Sequence, residues 1–345
     1  MDSIKVIVTA CGCPGASTFI YWLKNKVIER DIYIIGTDMS VEPIGRFIAD
    51  KFEQIPSADD DDYIPSVKDL ISKEKPDIFF CVSSYEVKKI SKHKEELEEL
   101  GTKVIVSDHD IINIASNKFS LYETLKGVAG VSVPNYYNPK TLEEFVRDSE
   151  LLGYPEKRIC FKPHFSKGSR GFRVIDDKVS RKDLLLNYKP ESTFISMNEF
   201  YSIFKDEKEF PKFLLMELVE GEENDAMVLS MGGEVLLTTI KTRETARAGV
   251  ITSGELVDRP EIAMSCKKII EKLPLDYNAA IQFIGNNLIE INTRVSTFIY
   301  QEDMIEPYLS IKLALGEYTK EEVKEYQSRI KYGRRMIRYM DQVFF

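Results

Sequence analysis

The sequence QFIGNNLIEINTR at residues 282–294 contains two short runs of alternating residues around a Gly-Asn-Asn turn. Turns of this composition join the strands of tight hairpins, so the segment predicts two paired β-strands. Side chains alternate across a strand, which places Glu290, Asn292 and Arg294 on one face and Ile289 and Ile291 on the other. Gln282 on the neighbouring strand can reach the same place. The hairpin therefore predicts a face that carries a carboxylate, two amides and a guanidinium.

This predicted face has the chemistry of a metal–phosphate site. The side-chain oxygens of Gln282, Glu290 and Asn292 suit Mg²⁺, which binds few protein groups and leaves coordination positions for phosphates. The guanidinium of Arg294 suits a phosphoryl group beside the metal. The pattern alone also fits a polar strand edge that faces solvent.

The bulk composition narrows the class of protein. The chain has 345 residues, 43% of them hydrophobic and 30% charged, which is ordinary for a globular protein of two or three domains. The formal net charge of −9 argues against a broad nucleic-acid or anionic-membrane surface. The five cysteines lack zinc-ligand spacing and are expected to be free thiols of a reducing compartment. With no long apolar run and no signal-peptide pattern, we expect a cytoplasmic protein.

The first hundred or so residues alternate strand and helix patterns, which predicts a parallel sheet with right-handed crossovers. Ligands of such sheets bind at the carboxyl ends of the strands. The turn CGCPG at residues 11–15 follows the first strand, but it is an incomplete dinucleotide fingerprint, which leaves a nicotinamide-dependent oxidoreductase only as a rival. The predicted strands are 6–9, 33–36, 78–82 and 103–106, and a charged helix is expected at about 87–100.

After about residue 115 the pattern changes to hairpin-like strands, which predicts an α+β region on mostly antiparallel sheets. Thr319 and Glu322 form a capping-box pattern that opens a helix to about residue 331. A last strand is predicted at 336–345, and Arg334, Arg335 and Arg338 are expected to be surface charge. The predicted strands of this region include 159–162, 171–174, 213–217, 227–230 and 235–239.

Two further segments suggest nucleotide chemistry. Lys162 ends an apolar strand and is followed by SKGSRG at residues 166–171, where small residues let backbone amides approach phosphates. The segment MELVEGEE at residues 216–223 leaves a strand, so its backbone can meet the edge of a heterocycle and a later carboxylate can bind ribose hydroxyls. Taken singly, the first could be an ordinary turn and the second an acidic loop.

The order and spacing of these segments resemble the ATP-grasp superfamily and, within it, the carbamoyl-phosphate synthetase large-subunit-like branch. The resemblance covers about 300 residues and implies an α/β fold class. It implies an N-terminal Rossmann-like parallel sheet (a pre-ATP-grasp domain) followed by a two-subdomain α+β ATP-grasp fold. The expected boundaries are 1–115 for the first domain, 116–310 for the ATP-grasp domain with its lid at about 130–212 and its C-terminal subdomain at about 213–310, and 311–345 for a closing helix and strand.

The resemblance also implies roles for individual residues. Lys118 and Lys162 resemble the two nucleotide-phosphate lysines, and Glu223 falls at the ribose carboxylate. The implied nucleotide contacts are Lys118, Lys162, Ser166, Lys167, Gly168, Ser169, Gly171, Glu217, Leu218, Val219 and Glu223. The implied metal ligands are Gln282, Glu290 and Asn292, and the implied catalytic residues beside the transferred phosphate are Lys162, Lys241, Arg243 and Arg294. The chain departs from the family at Thr293, where proline is usual, and at Met227, where many members carry an acid.

The function that this resemblance implies is an ATP-dependent, ADP-forming carboxylate–amine ligase. A substrate carboxylate would take the γ-phosphate as an acyl phosphate, and an amine or similar nucleophile would displace the phosphate. The expected cofactors are ATP and Mg²⁺, in two ions that Mn²⁺ can replace. The expected partners are small-molecule carboxylate and amine substrates, without nucleic acid or membrane, in a possible homodimer. Carbamoyl-phosphate-synthetase-like carboxyphosphate or carbamate chemistry and a catalytically inactive nucleotide-binding protein remain as alternatives.

Overall fold

The N-terminal part of the chain forms a parallel α/β layer. The computed structural model describes residues 3–27, 29–166, 170–187, 193–247, 250–296 and 298–345. Its first elements are β1 Ile4–Val8, α1 Ala16–Lys26, β2 Ile32–Asp38, α2 Gly45–Ile48, β3 Lys51–Gln54, α3 Tyr63–Glu74, β4 Ile78–Phe80, α4 Val87–Lys92, α5 Lys94–Glu98 and β5 Lys103–Ile105. The strands pair in parallel in the order β3-β2-β1-β4-β5, which confirms the predicted parallel sheet.

Two details of this layer differ from the prediction. The edge strand β3 was missed because its residues are charged or only half-buried and show no apolar run. The single charged helix expected at about 87–100 is two helices, since the backbone leaves helical geometry at His93. The glycine turn after β1 is held by Asp38, whose Oδ2 accepts the Gly12 backbone N–H at 2.8 Å.

The middle of the chain forms a second sheet that packs on its own aromatic core. The elements are α6 His109–Ser116, α7 Lys118–Leu125, β6 Tyr136–Tyr137, α8 Leu142–Leu151, β7 Ile159–Pro163, β8 Arg173–Ile175, α9 Arg181–Asn187, β9 Phe194–Ile195, α10 Met197–Phe204 and β10 Phe213–Glu217. The strands pair in the order β6-β10-β7-β8-β9. Phe145 stacks on Phe200 with ring centroids 4.1 Å apart, and both are buried. This core fixes β7, the strand that carries Lys162.

The last part of the chain forms an antiparallel sheet of four strands and a smaller one of three. Its elements are β11 Glu223–Met231, β12 Glu234–Thr242, β13 Thr245–Arg247, β14 Val250–Glu255, α11 Pro260–Lys272, β15 Tyr277–Ile284, β16 Asn287–Asn292, α12 Glu306–Ala314, α13 Lys320–Glu325, a 3₁₀ turn Tyr326–Arg329 and β17 Arg335–Ile337. The larger sheet has the order β12-β11-β15-β16, and the smaller one the order β13-β14-β17. A mixed α/β fold with further sheets after the parallel one agrees with the predicted class.

The hairpin predicted at residues 282–294 is β15 and β16. Gln282 pairs with Glu290, and Ala280 pairs with Asn292. Gly285 lies in the turn with a φ of 54°, a left-handed conformation that glycine adopts without steric cost. Ile281 and Ile291 are buried in the core that includes α11, as predicted for that face. The prediction was wrong for Ile289, which is only half-buried and lies outside this core, because the register shifts between Gln282 and Phe283.

The C-terminal predictions were right in part. Thr319 and Glu322 form the capping box, although the helix that they open ends at Glu325 before the 3₁₀ turn. The last strand covers only Arg335–Ile337 rather than 336–345. The expectation of plain surface charge was wrong for Arg338, whose Nε donates to the Ile251 carbonyl at 3.1 Å.

One apolar core joins the parallel sheet to the last part of the chain. Val8 and Phe19 pack in it together with Ala280 and Tyr308. The carboxyl ends of β1 and β4 therefore approach the four-stranded sheet, while the domain boundaries at 115 and 310 stay a prediction. The cysteines are free thiols. Within the described parts of the chain, no helix combines the length and the apolar character needed to cross a bilayer.

Candidate nucleotide-binding site

A row of polar side chains crosses one face of the four-stranded sheet. Lys241 on β12 pairs with Asp225 on β11, Asp225 pairs with Gln282 on β15, and Gln282 pairs with Glu290 on β16. Directly opposed residues in antiparallel strands point to the same side, with Cβ atoms about 4.5–5.5 Å apart. The four strands therefore bring together residues up to 65 positions apart in the chain.

Lys118 faces this row from the first turn of α7. Asn117 caps the helix by accepting the backbone N–H groups of Phe119 and Ser120. The Lys118 ammonium donates to Ser166, at 3.1 Å to the carbonyl and 3.2 Å to the hydroxyl, and lies 3.9 Å from a Glu290 oxygen. Burial lowers the pKa of Lys118 despite the nearby Glu290 carboxylate. This lysine thus connects the start of the glycine loop to the strand that carries the predicted metal ligands.

Lys162 on β7 is the second cation at the same place. It is 5% exposed, its Nζ donates to the Ile289 carbonyl at 3.0 Å, and it lies over the Tyr122 ring. Burial lowers the pKa of this ammonium to about 8, because a buried charge loses its hydration. An anion beside Lys162 would restore the charged form.

Lys118, Lys162, Gln282 and Glu290 line a cavity of about 340 Å³. The cavity lies between the sheet that contains β7 and β10 and the four-stranded sheet. Its lining combines apolar side chains with lysines, an arginine and carboxylates, which suits a ligand that has both a flat ring and a charged group. Arg243, at the end of β12, lines the wall and its Nε lies 3.0 Å from a Glu223 carboxylate oxygen. The lining residues are Lys118, Cys160, Lys162, Ser166, Phe172, Met216, Leu218, Val219, Glu223, Arg243, Ala246, Gln282, Phe283, Ile284, Ile289 and Glu290.

The cavity brings together most of the nucleotide contacts predicted from the sequence. Glu217 does not line the cavity with its side chain, whose carboxylate accepts the backbone N–H and the side-chain amide of Asn135, and the role predicted for its backbone stays a prediction. Gly171 has a φ of 77°, and a Cβ there would come within 2.6 Å of Pro163, so the glycine loop needs glycine at this position. The predicted contacts Lys167, Gly168 and Ser169 lie outside the described residues.

The predicted metal ligands are neighbours on β15 and β16. Gln282 and Glu290 line the cavity, and the Asn292 amide donates to Glu290 Oε1 at 3.3 Å. Carboxylate and amide oxygens are donors that fit Mg²⁺. In the part of the chain that the structure describes, no three His, Cys, Asp or Glu side chains converge on a single point. The residues present therefore fit a metal that takes part of its coordination from a bound phosphate.

Arg294 lies beyond the end of β16 and turns toward the N-terminal layer. Its Nε donates to the Ser84 hydroxyl at 2.8 Å, and its Nη1 donates to the Val295 carbonyl. Burial lowers the pKa of this guanidinium, against the effect of nearby groups that include Glu290. The arginine predicted at the phosphate thus stands between Glu290 and the loop after β4.

Sequence reasoning missed two buried acids at this site. Asp225 was passed over because the strand predicted at 227–230 begins at Glu223, so the acid looked like part of a loop. Many family members carry an acid at the position of Met227, which is a core residue here. Asp225 is an acid two residues earlier on the same strand. Glu306, in the first turn of α12, accepts the Thr239 hydroxyl at 2.5 Å, and burial raises its pKa to about 8. Extending the strand pattern back to Glu223 would have placed Asp225 on the same face as Glu223. No local pattern in the sequence indicates Glu306.

Comparisons with known proteins agree with this architecture. Residues 209–335 match the family described as "ATP-grasp in the biosynthetic pathway with Ter operon". Residues 6–105 match the "PylC-like, N-terminal domain" family. The chain therefore contains an ATP-grasp domain behind a parallel α/β layer, and the predicted recognition is confirmed.

Relatives and solved structures show how far the likeness extends. The carbamoyl phosphate synthase large chain of Pseudothermotoga lettingae is 24% identical over 59% of this chain, which spans only 18% of that relative. The biotin carboxylase domain of Hydrogenobacter thermophilus 2-oxoglutarate carboxylase, solved with MgADP and bicarbonate, has a TM-score of 0.67 at 19% identity and covers 97% of this chain and 74% of its own. The N5-carboxyaminoimidazole synthetase of Staphylococcus aureus, solved with ADP, has a TM-score of 0.59 at 15% identity and covers 86% of this chain and 72% of its own. At such identities the structures show a shared fold.

Proposed function

We propose that this protein is an ATP-dependent, ADP-forming carboxylate–amine ligase. The observation that carries the proposal is the cavity in which Lys118 and Lys162 lie with Gln282 and Glu290, the end of the polar row on β15 and β16. Buried ammonium groups with lowered pKa values favour an anionic ligand such as a triphosphate. The family matches and the nucleotides in the related structures support the same ligand.

In this proposal the apolar side chains of the lining would contact adenine, and the charged side chains would bind the phosphates. Leu218, Val219 and Phe172 line the part that would take the ring, and Glu223 would take the ribose hydroxyls. Lys118 and Lys162 would bind the phosphates, together with the glycine loop that starts at Ser166. Since phosphoryl transfer needs positioning and charge neutralisation, lysines and an arginine suffice without a nucleophile–base pair.

Gln282, Glu290 and Asn292 would hold Mg²⁺ in this site. The metal would supply charge neutralisation at the transferred phosphate. Two ions, and replacement by Mn²⁺, are part of the proposal, as is a homodimer. Glu290 lies near both a metal position and Lys118, so this carboxylate would keep the metal and the phosphate lysine in one arrangement.

The acceptor carboxylate would lie between the cavity and the N-terminal layer. Arg294 connects these two parts through its hydrogen bond to Ser84, so its guanidinium would meet the groups that react. Exclusion of water there would protect an acyl phosphate from hydrolysis.

The test is ADP and phosphate release from purified protein with MgATP, screened against amino acids and other carboxylates paired with amines, and against bicarbonate. At least one pair is expected to stimulate ADP release, and Glu290→Ala is expected to reduce it to background because the metal–phosphate arrangement is lost. Stimulation by bicarbonate alone would favour carboxyphosphate chemistry instead.

The matched control is Glu234→Ala. Glu234 lies at the far end of β12 and is paired with Lys320 and Lys324. It should leave turnover unchanged. Turnover by Glu290→Ala equal to that of the wild type would contradict the assignment.

A further inference from the structure

Asp225 is a buried acid to which the proposed mechanism assigns no role. It is 1% exposed and lies in the polar row between Lys241 and Gln282. Its Oδ2 is 3.4 Å from the Lys241 Nζ and 3.4 Å from the Arg243 Nη1. One carboxylate oxygen is thus shared by two cations from β12.

The pairing is loose for a buried ion pair. Charge-assisted hydrogen bonds between an ammonium and a carboxylate are usually about 2.7–2.9 Å long. Among the described residues, neither the Asp225 Oδ1 nor the Lys241 Nζ has a hydrogen-bond partner, and Lys241 is itself 1% exposed. Buried charges with unfilled hydrogen-bonding capacity are costly. The arrangement is therefore poorly explained by stability, and it leaves the hydrogen-bonding capacity of the Lys241 ammonium unused.

The neighbouring acids are engaged elsewhere. Glu306 accepts the Thr239 hydroxyl, and Glu223 pairs with the Arg243 Nε on the cavity side. Burial lowers the pKa of Lys241, while Asp225 and then Glu306 oppose that effect. Asp225 is consequently the acid that both cations share, and one of the two cations, Arg243, lines the cavity.

We propose that Asp225 is a positioning residue that holds Lys241 and Arg243 toward the terminal phosphate of bound ATP. The proposal rests on the proposed function and adds a specific consequence. Because Asp225 acts through Lys241 at the terminal phosphate, whereas Arg243 also pairs with Glu223 on the ribose side, it contributes through Lys241 to the preference for a nucleoside triphosphate over a diphosphate. A residue that merely supported the fold would affect both nucleotides alike.

The test compares Asp225→Asn with the wild type by calorimetric titration with the Mg²⁺ complexes of ADP and of the non-hydrolysable analogue AMP-PNP. Loss of the charged anchor should weaken AMP-PNP binding by about tenfold or more, as expected for a charge-assisted contact. ADP affinity should change by less than about threefold. Lys241→Met should give the same pattern, and the double variant should bind AMP-PNP about as well as either single variant, because the two residues act as one unit.

The control is Asp148→Asn. Asp148 is also buried beside an arginine, Arg147, but it lies on α8 away from the cavity. It should leave both affinities unchanged. If Asp225→Asn loses affinity for ADP and for AMP-PNP by the same factor, the inference is overturned. If Asp225→Asn does not fold, the same result in Lys241→Met overturns it. Failure of the wild type to bind either nucleotide would overturn the proposed function along with it.

Discussion

The two faces of the four-stranded sheet carry opposite kinds of residue on the same strands. One face carries the polar row of Asp225, Gln282 and Glu290, the last two of which line the cavity, while Ala226 and Ile281 on the other face pack in the core beneath α11. Since side chains alternate along a strand, each site residue has a core residue as its immediate neighbour. Residues that support function and residues that support stability are therefore neighbours in the sequence. A substitution on the core face should lower stability, whereas a substitution of the adjacent residue on the site face should weaken ligand binding.

The largest expected effect on stability comes from the core face. Ile281 is fully buried, and Ile281→Ala should lower the free energy of unfolding by about 2–5 kcal/mol through lost burial and a residual cavity. The adjacent Gln282→Ala, on the site face, should change stability by less than about 1 kcal/mol and weaken MgADP binding instead. Urea unfolding and nucleotide titration of both variants measure this contrast, and equal destabilisation by the two would break it.

A smaller effect is expected where the site face meets α12. Burial raises the pKa of Glu306 to about 8, so between the ordinary carboxyl pKa and that value the folded protein binds a proton that the unfolded chain releases. This contribution to stability is present at low pH and is lost as the pH rises through about 8, with a slope of at most about 1.4 kcal/mol per pH unit.

Glu306→Gln keeps an acceptor for Thr239 but cannot titrate, so it should flatten the pH dependence of urea unfolding between pH 6 and 8. The control is Glu302→Gln. Glu302 forms a surface ion pair with Lys26, so this variant should show the same pH slope as the wild type. An unchanged slope in Glu306→Gln would show that this acid is ionised in the folded protein.

The same comparison explains how much could be predicted from the sequence. The hairpin of β15 and β16 was predicted because both of its signals, turn composition and alternation, are local, whereas the register shift between Gln282 and Phe283 was not. The parallel sheet was predicted for the same reason, except for β3, whose charged residues lack an apolar pattern. The ATP-grasp recognition came from several segments in the right order and is confirmed.

Other parts of the site depend on tertiary structure. Lys118 and Lys162 meet only because α7 and β7 approach β16, which spacing alone cannot reveal without the family resemblance. Asp225 was missed through a strand boundary placed four residues late, and Glu306 because a helix more than 60 residues further along the chain brings it to β12. Glu217 was assigned from the family for its backbone groups, and its side chain binds Asn135. The individual roles in nucleotide binding stay predictions.

The account depends most directly on whether the cavity around Lys162 binds a nucleotide phosphate. The decisive measurement is calorimetric titration of MgADP at pH 8 into the wild type and Lys162→Met, in buffers of different ionisation enthalpy. Because burial lowers the pKa of Lys162 to about 8 and a phosphate would raise it again, the wild type should take up a fraction of a proton on binding. Its affinity should fall as the pH rises further.

Lys162→Met should lose about tenfold or more in affinity together with most of the proton uptake. The control is Lys126→Met. Lys126 also lies over an aromatic ring, that of Tyr136, but it is exposed, so this variant should bind MgADP as tightly as the wild type. Equal affinity and equal proton uptake in Lys162→Met and the wild type would contradict the assignment of this cavity as the nucleotide site.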